Sequence, residues 1–174
     1  MNVLGIDPGR RGSAVKVNST ERELLNPKLK SAAIAHKLDF DGRGLKEIFD
    51  FIFKPPATLN AIYLENPPYM TNGKFQMASW SGKLQENYGL CLGAAYAYGE
   101  VNNIKITPLV PQVWQKPYHM PSGMEYAERK DFLRRVACSA FARFSTQTKE
   151  NQYAYADAAL IALYGCFDIL NKRT

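Results

Sequence analysis

Apolar positions come in short, abruptly bounded runs at the start of the chain and in longer periodic stretches towards its end. Met1 to Ile6 is an apolar run that stops at Asp7-Pro8-Gly9, and Ser13 to Val17 resumes the strand-like pattern after Arg10-Arg11-Gly12. Two apolar runs separated by a Pro/Gly-containing turn predict a β-hairpin. A third strand is expected over Ala32 to Asp39, before the turn-rich Asp41-Gly42-Arg43-Gly44. Leu45, Ile48, Phe49 and Ile52 fall on one helical stripe, which Pro55-Pro56 ends. Ala61 to Leu64 has the pattern of a buried strand, closed by Glu65-Asn66-Pro67-Pro68, and the polar stretch from Tyr69 to Phe75 predicts a loop.

Ser79 to Glu100, rich in Ala, Leu, Gly and Tyr, predicts a long buried helix whose Gly82, Gly89 and Gly93 permit close packing. Ile104 to Leu109 is a further strand, Val110 to Gly123 is irregular, and Met124 to Ala142 has helical periodicity with many charges. A polar link over Ser145 to Gln152 precedes a final apolar helix from Tyr153 to Leu170. Strands first, then helix and strand in alternation, predict one α/β domain over residues 1–174 with a mixed central sheet flanked by helices. No internal repeat, low-complexity tract or linker interrupts it.

Three acids stand out from this pattern. Asp7 sits at the end of the first strand, Glu65 at the end of an apolar strand, and Asp157 inside an Ala-rich apolar helix. A carboxylate in a buried segment is costly unless it is paired or holds a metal. Carboxylate oxygens suit Mg²⁺ or Mn²⁺, and two such ions can drive phosphodiester hydrolysis. Taken singly, Asp7 also reads as a turn residue, Glu65 as a strand-end charge and Asp157 as the partner of a core arginine. Convergence of all three is the expectation, and no spacing rule proves it.

Composition adds a partner class. Of the 174 residues, 46% are hydrophobic and 22% charged, as in ordinary globular proteins. Lys and Arg number 22 against 16 Asp and Glu, a formal charge of +6, which favours a polyanion with nucleic acid first among candidates. Cys91, Cys138 and Cys166 show neither zinc nor disulfide spacing, so buried free thiols in a reducing compartment are expected. No charged leader or signal region opens the chain, and no apolar stretch approaches the ~18 residues of a membrane span. The expectation is a soluble, cytoplasmic protein without a membrane partner.

The chain resembles the RuvC family of Holliday junction resolvases, particularly the short bacteriophage versions. Val3-Leu4-Gly5-Ile6-Asp7-Pro8-Gly9 resembles the family's first strand and first acid, and Ile62-Tyr63-Leu64-Glu65-Asn66 its second acid-bearing strand. The segment from Thr107 to Lys116, with Trp114, is similar to the phage members' strand and loop. Ala127-Glu128-Arg129-Lys130 resembles the start of the next helix, and Ala156-Asp157-Ala158-Ala159-Leu160-Ile161-Ala162 the closing acid-bearing helix. The resemblance implies a ribonuclease H-like fold, a homodimer, two Mg²⁺ or Mn²⁺ ions, paired nicks in four-way (Holliday) junctions and other branched DNA, and phage encoding in a bacterial host. A two-fold axis suits symmetrical cuts.

The family usually carries a fourth acid three or four residues before the last one. Ala154 and Tyr153 occupy those places here, and Glu150 lies about two helical turns before Asp157. The site therefore runs on three acids, borrows Glu150 as a metal ligand, or is weakened in catalysis. By the same resemblance, Lys130 and Arg129 are expected at the catalytic site. In the loop after Glu65, Tyr69 and then Phe75 are candidates to stack on an opened base pair, with packing on the loop's own prolines as the alternative for Tyr69. Lys74, Lys83, Arg10, Arg11 and Lys116 are candidates to line a DNA path, although any one of them is more often a solvated charge. His36 and His119 receive no role, and Tyr88, Tyr96 and Tyr98 read as core or subunit-interface residues.

Three rivals follow. A junction-binding module without cleavage would explain Ala154 and Tyr153. An actin-like phosphate-handling enzyme would use Gly5-Ile6-Asp7-Pro8-Gly9 as a phosphate hairpin, but needs two lobes. A nuclease of the same fold acting on flaps, mismatches or RNA–DNA hybrids is the third.

Overall fold

The computed structural model describes residues 1–8, 12–26, 31–38, 59–66, 70–71, 74–75 and 82–173. The expected helix from Leu45 to Phe53 lies outside them, as do Arg10, Arg11 and Tyr69. Five strands form one mixed sheet: β1 (Asn2–Asp7), β2 (Ser13–Asn18), β3 (Ala32–Lys37), β4 (Ala61–Glu65) and, after two short strands β5 (Met70–Thr71) and β6 (Lys74–Phe75), β7 (Lys105–Leu109). The sheet order is β3-β2-β1-β4-β7, with β1, β2 and β3 antiparallel in turn and β1, β4 and β7 parallel. The hairpin and the mixed sheet agree with the sequence pattern. The expected loop from Tyr69 to Phe75 instead contains the β5–β6 pair.

Helices follow as α1 (Glu21–Leu25), α2 (Gly82–Asn102), α3 (Pro111–Gln115), α4 (Tyr126–Ala140), α5 (Ala142–Ser145) and α6 (Lys149–Asn171). Two boundaries differ from expectation for local reasons. Pro111 starts α3 within the stretch expected to be irregular, because proline lacks only an N–H that the first turn leaves unused. A 3₁₀ turn over Lys116–Tyr118 follows it directly. The last helix begins at Lys149 rather than Tyr153, since the Thr148 side chain accepts from the Asn151 N–H and caps it.

The sheet is covered on both faces, and strand alternation decides which residue meets which cover. Leu4, Ile6, Ile62 and Leu64 pack with Cys91, Ala94 and Ala95 of α2. Val3, Ala61 and Tyr63 point the other way, into a core shared with α6, Leu133 and Ala137 of α4, and Trp114 of α3. Gly5 lies on that second face. A Cβ there would sit 2.1 Å from the Ala158 carbonyl oxygen, so only glycine lets α6 approach β1 so closely. Gly165 does the same one strand over, where a Cβ would come within 2.4 Å of the Tyr63 ring.

By length and composition α6 could cross a membrane, contrary to the sequence expectation of no such stretch. Its apolar residues are committed elsewhere: Ala156 to Leu163 are buried in succession against the sheet and α4. Cys91 and Cys166 are buried free thiols, and Cys138 is a half-buried one. Tyr96 is exposed and Tyr98 packs against the α2 side of the core. The side chains of Tyr88 and His36 lie outside the described residues, and His119 is exposed with left-handed backbone.

Candidate active site

Asp7 and Glu65 are brought together by register. Ile6 pairs with Leu64 across the parallel β1–β4 ladder, so Asp7 and Glu65 terminate neighbouring strands side by side. By alternation both belong to the face that Val3, Gly5 and Tyr63 turn towards α6. The close approach allowed by Gly5 then sets Asp157 over the same strand ends. All three acids line one cleft of about 520 Å³, together with Pro111, Gln112, Gln115, Tyr126, Arg129, Lys130, Tyr153 and Ala154.

The three carboxylates crowd one another and share the cleft with Arg129 and Lys130. Asp157 is 5% exposed. Its Oδ2 pairs with the Lys130 ammonium, while its buried Oδ1 has no hydrogen-bond partner. Such an atom forfeits its hydration without recompense. Burial, then the charges of Asp7 and Asp157, push Glu65 up to about 8, against the opposing pull of Lys130 and of a hydrogen bond from Trp114. That bond runs from the indole Nε1 to Glu65 Oε2 at 2.9 Å. Burial works against the Lys130 charge, but Asp157 and Asp7 outweigh it and raise its pKa.

In kind, the donors suit a hard divalent cation: they are carboxylate oxygens, and one of them, Asp157 Oδ1, is buried without a hydrogen-bond partner. Among the described residues, no three His, Cys, Asp or Glu side chains stand in an arrangement that could already hold a metal ion. Lys130 stands against Asp157 as the resident positive charge.

The sequence-predicted residues divide clearly. Asp7, Glu65, Asp157, Arg129 and Lys130 meet in the cleft. Glu150 does not: it is exposed on the first turn of α6, away from the cleft lining. Lys116 is exposed in the 3₁₀ turn and is also absent from the lining. Arg10, Arg11, Tyr69 and the side chains of Lys74, Phe75 and Lys83 lie outside the described residues.

Ala154 and Tyr153, at the positions of the family's fourth acid, line the cleft. The Tyr153 hydroxyl donates to Asp131 Oδ1 at 2.7 Å, and Arg134 lies 5.4 Å from its ring centroid. Sequence reasoning missed Tyr126, which is 65% exposed at the cleft edge with Arg129 and Lys130 beside its ring. It also missed the contact of Trp114 with Glu65. The available signal was the proline that starts α3, which makes Trp114 helical and turns it inward.

Neither protein-family models nor curated proteins match the chain. Solved structures do. Thermus thermophilus RuvC superposes with a TM-score of 0.61 at 17% identity, covering 99% of this chain and 97% of that one. The same organism's RuvC in complex with a Holliday junction substrate gives 0.60 at 16%, covering 97% and 94%. The yeast mitochondrial Holliday junction resolvase Ydc2 gives 0.52 at 16%, covering 93% and 76%. The chain has the ribonuclease H-like fold of the RuvC resolvases.

Proposed function

We propose that this protein is a metal-dependent endodeoxyribonuclease that resolves four-way DNA junctions. The observation carrying the reading is the meeting of Asp7, Glu65 and Asp157, from two strand ends and a core helix, in one cleft with Lys130. The resolvases that share the fold lend it a substrate class, since one of them is in complex with a Holliday junction.

Asp7, Glu65 and Asp157 would hold Mg²⁺ or Mn²⁺, which supplies an activated water and neutralises charge on the scissile phosphate. Lys130 and Arg129 place cations on the phosphate path, where they offset charge that grows in the transition state. Glu150, exposed and outside the cleft lining, is not required in this reading. Tyr69 and Phe75 remain candidates for stacking at the opened junction, and Arg10, Arg11, Lys74, Lys83 and Lys116 for backbone contacts. A homodimer supplies the second cut, and the α2 face bearing exposed Tyr96 and Val101 offers an apolar contact for it.

Ala154 at the cleft wall favours one second reading, a junction-binding protein without cleavage. A labelled synthetic four-way junction separates the two in Mg²⁺ and in Mn²⁺. Paired symmetrical nicks that vanish in Asp7→Asn and Glu65→Gln are expected. Intact junctions that still shift on a gel overturn the enzyme in favour of the binding protein.

A further inference from the structure

Trp114 is fully buried, yet its indole N–H is directed at the acidic cleft and donates to Glu65 Oε2 at 2.9 Å. An indole can only donate and cannot ligate a hard cation, so it fixes one oxygen of the carboxylate without competing for the other. A hydrogen bond to an ionised carboxylate is also among the stronger kinds.

What holds Trp114 is itself tied to the site. Its ring meets Tyr118 edge-on, with centroids 6.4 Å apart, and the Tyr118 hydroxyl donates to the Leu160 carbonyl at 2.7 Å. Leu160 lies three residues beyond Asp157 on α6. Before α3, the Asn66 N–H donates to the Leu109 carbonyl at 2.6 Å, locking the residue after Glu65 to the end of β7. Residues 109–118 thus touch the strand that carries Glu65 and the helix that carries Asp157.

We infer that Trp114 is a positioning residue for the cation site: its indole N–H orients Glu65, and its anchorage through Tyr118 keeps that carboxylate in register with Asp157. The inference rests on the proposed metal-dependent reading and deepens it. Groups that orient a metal-binding carboxylate typically change metal affinity by ~10–100-fold when removed. Trp114 acts through Glu65 and touches neither DNA nor the reacting atoms in this scheme. Its loss therefore weakens cation binding and leaves the KM for the junction unchanged.

The chain has two tryptophans, Trp80 and Trp114, so Trp80→Phe makes Trp114 the sole indole emitter. In that background, Mg²⁺ titration is expected to shift Trp114 emission, because the partner of its N–H changes charge environment when a cation arrives. Mn²⁺ binding is then measured by electron paramagnetic resonance on the DNA-free protein. The comparison is between wild type and protein carrying 3-benzothienylalanine at position 114, whose sulfur replaces the N–H at nearly constant shape. Trp114→Phe serves as a second, genetically simple variant.

A rise of about tenfold in the Mn²⁺ Kd with the benzothienyl side chain, at unchanged Tm and junction KM, is the expected result. An unchanged Mn²⁺ Kd with that side chain overturns the positioning role while leaving the metal-dependent reading intact. Wild-type protein that binds no Mn²⁺, together with no Mg²⁺-induced emission shift in the Trp80→Phe background, overturns both.

Discussion

Helix α6 carries two buried or half-buried aspartates three turns apart, and they live in opposite circumstances. Asp168 accepts from the Tyr63 hydroxyl at 2.6 Å and from Lys172 at 2.5 Å. Burial alone would raise its pKa, but Lys172 and Tyr63 outweigh it and hold the carboxyl below its usual value. Asp157 has one lysine, an oxygen with no hydrogen-bond partner, and two further acids in the same cleft. Local sequence does not separate them, since each is an acid set among apolar residues of one helix. Burial and partners separate them. Asp168, only half-buried, ties α6 to β4 through one oxygen that takes both Tyr63 and Lys172, whereas Asp157 is buried with one oxygen that has no hydrogen-bond partner.

The most severe way to test that contrast is to neutralise each acid in turn. Asp157→Asn should lower single-turnover cleavage of a four-way junction by on the order of 10³-fold, whereas Asp168→Asn should leave the rate unchanged. Equal losses would dissolve the distinction.

Gly5→Ala should come next, because its Cβ would meet α6 backbone rather than a yielding side chain. A destabilisation of about 3 kcal/mol in urea unfolding is expected, with cleavage reduced as Asp157 is pushed from the strand ends. Full activity in a folded Gly5→Ala protein would show that the close approach of α6 is not what assembles the acids.

Lys130→Met should leave Asp157 buried without its cation. About 2 kcal/mol of stability should be lost, below the range for fully buried pairs because the lysine is partly exposed. Saturating Mg²⁺ should return much of that loss in thermal denaturation, since the ion supplies the missing charge. Lack of any Mg²⁺ effect would argue against a cation site at Asp157.

The smallest effect belongs to Asp168. Tyr63→Phe should cost about 1 kcal/mol at neutral pH. Because Asp168 is held below the ordinary Asp value of 3.8, its contribution is present above that value and is lost as pH falls through its folded-state pKa. The stability gap between wild type and Asp168→Asn should therefore narrow progressively as the pH is lowered below the ordinary Asp range. A gap independent of pH would mean that the charge on Asp168 contributes nothing.

Much of this was legible along the chain. Asp7 and Glu65 each end an apolar run, although it is the parallel register of β1 and β4 in the fold that sets them side by side. Asp157 was conspicuous as a charge amid Ala156, Ala158 and Ala159. Helix termini were less legible: the Thr148 cap moved the start of α6 to Lys149, because a threonine hydroxyl competes for helical N–H groups in a stretch that otherwise looks polar and open.

Period, turn chemistry and the placing of charges were therefore determined by the sequence itself, since each depends on neighbours a few residues away. Tertiary structure alone decided the rest: that Trp114 reaches Glu65 across 49 residues of chain, that Lys130 faces Asp157, and that Glu150 stays outside. Those outcomes depend on how closely α6 lies on β1 and where α3 turns back. Backbone approach distances of that kind are set by the packing of the whole core, and no local pattern encodes them.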